Sequence, residues 1–125
     1  MPVMDVILGD LKYTLGVGQA NTFLHVAGNL AGANAARLNA VFNRALAHAR
    51  GRLILSLQGC SAIDSAALAA FARQQKLMAE KAIDLVLVEV PAQILSALET
   101  SHLAPLFEII PSLQEAEKKY GRAVY

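Results

Sequence analysis

A chain of 125 residues with a formal net charge of +1, eleven basic against ten acidic groups, is one domain's worth of sequence. Hydrophobic residues make up 55% and charged ones 17%, which argues against disorder, and the even spread of charge offers no basic patch for nucleic acid or an anionic membrane. The apolar runs are strand-sized, far short of the roughly 20 residues a membrane helix needs. No basic region marks the start as a secretory signal, and a single cysteine, Cys60, excludes an internal disulfide. The expectation is a soluble cytoplasmic domain without membrane insertion, in need of no more than a monomer or weak dimer.

Residues 1–11 read as a tail or an edge strand. Tyr13, Leu15 and Val17 then alternate with small or polar residues, as in a half-buried strand. Gly18-Gln19-Ala20-Asn21 is a turn signal, and Thr22 to Ala27 resumes the strand pattern, so the pair reads as an antiparallel hairpin. From Asn34 to Arg50, Leu38, Val41, Phe42, Ala45, Leu46 and Ala49 fall at helical spacing, and Gly51 is the expected cap. Leu53 to Leu57 is a continuous aliphatic run, as expected of a strand covered on both faces.

The next helix begins after Asp64 and places Leu68, Phe71, Ala72, Met78, Ala79 and Ala82 on its inner side. Ala66, Ala69 and Ala70 are expected on its exposed face beside Ser65. Leu85 to Val88 is a second central strand, Pro91 opens a short helix carrying Ile94, Leu95 and Leu98, and Leu106 to Ile110 is a last strand. Ser112 and Glu115 form a capping box for a final helix that stops at Gly121. The order β-β-α-β-α-β-α-β-α predicts an α/β domain over residues 12–121, with a mixed, mostly parallel sheet, an antiparallel N-terminal hairpin and about four helices, mainly on one face. Residues 122–125 are left as a short tail.

The chemistry-bearing residues are few. Asp64 and Ser65 stand where a strand-to-helix connection exposes side chains at the carboxyl edge of a sheet. Taken alone, the pair is a plain helix cap. Cys60 has no second cysteine or nearby cation to activate it. His25, His48 and His102 lack metal-ligand spacing, Gly16-x-Gly18 leads into a hairpin and not a helix, and no nucleophile elbow or Walker-type loop is present. No cofactor, metal or catalytic residue is expected.

Three stretches carry a resemblance. Gly28-Asn29-Leu30-Ala31 looks like a Gly-x-Leu-Asp turn, Asp64-Ser65-Ala66-Ala67-Leu68 like an Asp-Ser-(Ser/Thr)-Gly-Leu motif, and residues 103–116 like a Leu-Phe-x-Ile strand leading into a Ser-x-x-Glu-Ala helix. In this order they resemble the STAS domain of sulfate transporters and anti-sigma factor antagonists, over roughly residues 12–120. Ala31 departs from the acidic position, and Ala66-Ala67 from the hydroxyl-glycine pair.

The resemblance implies a non-catalytic bacterial switch in transcription regulation. Its partner would be an anti-sigma factor with a histidine-kinase-like ATPase fold that is also a serine kinase. Phosphorylation of Ser65 would abolish binding and a Ser/Thr phosphatase would restore it. The implied partner surface comprises Asp64, Ser65, Ala66, Ala67, Ala69 and Ala70 with Asn29 and Ala31 of the neighbouring turn. The family also implies an alternative, a constitutive subunit of a lipid-transport or stress-signalling assembly with no phosphoswitch.

Overall fold

The computed structural model describes residues 3–8, 11–17, 21–49 and 51–121. Among them, six strands form one sheet in sequence order: β1 (Val3–Leu8), β2 (Leu11–Val17), β3 (Asn21–Gly28), β4 (Arg52–Cys60), β5 (Asp84–Val88) and β6 (Glu108–Ile110). The first three pair antiparallel, and β3 to β6 run parallel. The expected parallel pairing of the two central aliphatic runs is present, with Leu53 opposite Leu85 and Leu55 opposite Leu87. Of the ambiguous first segment, Val3–Leu8 forms an edge strand and Leu11 already belongs to β2, so three antiparallel strands stand where a hairpin was expected. Of the turn expected at 18–21, Asn21 already opens β3, while 18–20 and the tail at 122–125 lie outside the described residues.

Between the parallel strands run α1 (Asn34–His48), α2 (Ser65–Glu80) and α3 (Ala92–Thr100), and α4 (Leu113–Tyr120) closes the described chain. Crossover helices follow from parallel pairing, because the chain must return along the sheet before each new strand. Alternation along each strand divides the side chains between two faces. Leu24 and Val26, Leu53, Leu55 and Leu57, and Leu85 and Leu87 meet Leu38, Phe42, Phe71, Ile94 and Leu98 of the first three helices. On the reverse face a smaller cluster of Phe23, Ile54, Val86, Val88 and Ile110 packs against Ala116 of α4. The helices are therefore split three to one. Arg52 holds α4 in place, its guanidinium lying 3.6 Å over the Tyr120 ring, while Tyr120 and Lys119 bond Glu108.

Several boundaries and faces differ from the sequence reading. The first helix ends at His48, with Ala49 extended and Gly51 at φ 73°, so Gly51 serves the turn into β4 and does not cap the helix directly. Leu106 belongs to a 3-10 turn, Ala104–Leu106, and the last strand keeps only three residues. The inner side of α2 is Ala67, Ala70, Phe71, Gln74 and Met78, while Ala79 and Ala82 are exposed. The arc differs because alanines fit either face, and in the packing of α2 against α1 and the sheet Ala67 and Ala70 are the inward ones. Gln74 is carried inside with them, where its amide donates to Asn43 Oδ1 at 3.2 Å.

Candidate functional site: the carboxyl edge at Asp64 and Ser65

Two connections leave the carboxyl ends of neighbouring parallel strands, 29–33 after β3 and 61–64 after β4, and they are stitched together. Leu30 N–H donates to Ala62 O at 2.9 Å, and Ser61 N–H to Gly28 O at 3.1 Å. Buried Leu30 pins the first connection into the core. Asn29 folds its own turn, its side chain accepting from Ala31 N–H at 2.8 Å and its carbonyl from the Asn34 amide at 2.7 Å. Gly32 stands at φ 67°, a conformation glycine adopts without a Cβ penalty.

Asp64 joins the two connections to the helix. It is the N-cap of α2 in extended geometry, and Oδ1 accepts from Ala67 N–H at 3.0 Å. The other oxygen, Oδ2, accepts from Gly32 N–H at 2.8 Å across thirty-two residues of sequence. Those bonds, Gly32 first and Ala67 next, favour the ionised form and hold the carboxyl below its ordinary value. A depressed folded value means a stabilisation that is present above the unfolded value near 3.8 and lost as the pH falls through the folded one. Replacing Asp64 with Ala is expected to cost about 1–2 kcal/mol at neutral pH, the loss of a cap and of a tie between loops. Asp64→Asn retains one acceptor oxygen and removes the acid-sensitive part. Urea unfolding at neutral pH and near pH 3 reads both. Equal urea midpoints for wild type and Asp64→Ala would contradict this account.

Ser65 is the first residue of α2 and is exposed. Ala66 and Ala69 lie exposed beside it, Asn29 is exposed on the neighbouring turn, and Ala31 is half-buried. The placing of Ala70 on the outer face is corrected. Ala67 and Ala70 are 0% and 1% exposed and pack inward, so both support the surface from behind. The methyl at Ala67, where the motif has glycine, therefore points into the core. Sequence reasoning missed the Asp64–Gly32 bond, since neither residue's neighbours signal the other. Cys60 lies just upstream, buried, with Sγ 3.2 Å from Val26 O, and burial pushes its thiol up to about 12, which disfavours the thiolate. Among the described residues no group of three or more His, Cys, Asp or Glu could hold a metal.

The arrangement, a mixed sheet whose carboxyl edge presents an exposed serine after a capping aspartate, beside a loop stapled to it, defines a small α/β module. The STAS domain family model matches residues 13–116, and the chain belongs to that family. No curated protein matches the chain. Among solved structures it resembles an assigned anti-sigma factor antagonist from Thermotoga maritima, at 20% identity and TM-score 0.77 over 88% of this chain and 95% of that one. It also resembles the anti-sigma factor antagonist SpoIIAA in its unphosphorylated form, at 16% identity and TM-score 0.64, covering 88% and 97% of the two chains. A sulfate transporter family protein from Wolinella succinogenes is similar at 17% identity and TM-score 0.71, covering 83% and 87%. At these identities the likeness is one of fold.

Proposed function

We propose that this chain is a non-catalytic regulatory protein of the bacterial cytoplasm. It binds an anti-sigma factor type of partner that is also a serine kinase, and phosphorylation of Ser65 releases that partner until a Ser/Thr phosphatase reverses it. The observation that carries the reading is the exposed Ser65 at the start of α2, flanked by the small exposed residues Ala66 and Ala69. The structural likeness to an antagonist recorded in an unphosphorylated form supports it. A phosphate adds about −1.5 to −2 charge, and backbone N–H groups at a helix start accommodate an anion. The fold would survive while the surface changes sign of interaction.

Intact-mass and peptide mass spectrometry of the protein from its native cells, beside Ser65→Ala, is the direct test. A phosphate mapped to Ser65, absent from the variant, is the expected result. No phosphate in any growth condition would favour the second reading, a constitutive subunit of a lipid-transport or stress-signalling assembly. The similarity to a sulfate transporter family protein gives that reading its footing.

A further inference from the structure

The two ends of the sheet are finished differently. At one end β6 is three residues long and runs into Pro111, a short edge that offers little to pair with. At the other, β1 has six residues, five of them apolar, and no strand on its outer side among the described residues. A long apolar edge without proline or lysine is a template for another strand.

The pairing of β1 with β2 fixes which of its backbone groups are free. Leu8 and Leu11 stand opposite each other at the closed end of the antiparallel ladder, so they are a hydrogen-bonded pair. Bonded pairs alternate with open ones. Val6 with Tyr13 and Met4 with Leu15 are therefore bonded too, and Val3, Asp5 and Ile7 turn their N–H and C=O groups outward. The two parities also differ in chemistry. Met4, Val6 and Leu8 stand in register with Leu15, Tyr13 and Leu11, all buried in the main core. Asp5 and Ile7 stand in register with Thr14 and the exposed Lys12.

An antiparallel edge is complementary to itself under a two-fold axis. Centred on Val6, two copies set Asp5 of each opposite Ile7 of the other, so that outward groups meet outward groups. Val6 then meets Val6, and Met4 meets Leu8. In this register Asp5 of one copy lies across Ile7 from Lys12 of the other. Two strand spacings separate them, about 10 Å between backbones, a span that a carboxylate side chain and the four-carbon stem of a lysine cover between them. Opposite charges thus flank the axis on both sides. Centring on Asp5 would instead bring two aspartates face to face, which is destabilising.

We infer that a second copy of this chain occupies the β1 edge, paired in the Val6-centred register to make one sheet continuous through both copies. The contact is that of a single pair of short strands, so the dimer is weak, dissociating at roughly 10–100 μM. The carboxyl ends of β3 and β4, which carry the Ser65 surface, lie beyond β2 and stay free. The inference does not rest on the phosphoswitch.

Sedimentation velocity of the full chain from about 1 μM to about 1 mM is the test, and a reversible monomer–dimer equilibrium is expected. Ile7→Pro removes one outward N–H from each copy and none of the bonds to β2. It should weaken association about thirtyfold while the thermal midpoint is nearly kept. Asp5→Lys and Lys12→Glu should each weaken association about tenfold, and the double variant, with opposite charges restored, should return to within about threefold of wild type. The charge reversals carry the test should Ile7→Pro disturb the β1–β2 pairing. A monomer throughout, a dimer indifferent to Ile7→Pro in a folded chain, or charge losses that add in the double variant would overturn the proposal.

Discussion

Ser65→Asp is expected to weaken capture of the partner by about 2 kcal/mol or more, roughly thirtyfold, while the thermal midpoint stays unchanged or rises by a few degrees. The two effects separate because they act on different sides of the same residue. Toward the protein, position 65 opens α2, where free N–H groups and the helix dipole favour an anion. Toward solvent, Ala66 and Ala69 are small, so a partner that seats here comes close and strips water from position 65. A carboxylate there would be buried without a counter-charge, next to Asp64, whose two oxygens are already held by Ala67 and Gly32 N–H groups. Asp64 cannot swing away to relieve the repulsion without giving up its cap. Ser65→Ala keeps the surface neutral and is expected to bind like wild type. The measurement is pull-down from native cells followed by calorimetry on the captured partner. Equal affinity for wild type and Ser65→Asp would end the switch reading and leave the constitutive one.

How far the sequence shows this site depends on how local each feature is. The strand-to-helix turn at Asp64 is legible because its signals sit within a few residues: an aliphatic run, a capping carboxylate, then helical spacing. The central parallel pairing is legible for the same reason. The rotation of α2 is not, because a run such as Ala66-Ala67-Leu68-Ala69-Ala70 gives little contrast between faces. Only the packing of α1 chooses among alanines, and it chose Ala67 and Ala70. The tie from Asp64 to Gly32 depends on two connections leaving adjacent strands, which follows from strand order and not from either segment.

The largest loss of stability is expected from Phe71→Ala, about 3–5 kcal/mol, against a total of about 5–15 kcal/mol for a domain of ordinary stability. Phe71 is fully buried and is the middle ring of three. Its centroid lies 5.4 Å from Phe42 of α1 and 6.2 Å from Phe107 at the entry to β6, edge-to-face in both cases, at 77° and 86°. Such pairs add to the area they bury, so truncation removes two aromatic contacts and opens a cavity between three elements. The alanines around it cannot fill the space, because the methyl groups of Ala67 and Ala70 have no rotamer that reaches into it. Phe71→Leu retains much of the volume and loses the edge contacts alone, and about 1–2 kcal/mol is expected for it. The consequence reaches the site, since Ser65 is held only as firmly as the first two turns of α2. Amide exchange at Ala67 to Ala70 should therefore quicken in Phe71→Ala along with a lower urea midpoint. A loss below about 1 kcal/mol would mean that the core closes over the gap, and that α2 is anchored from its cap and not from its aromatic centre.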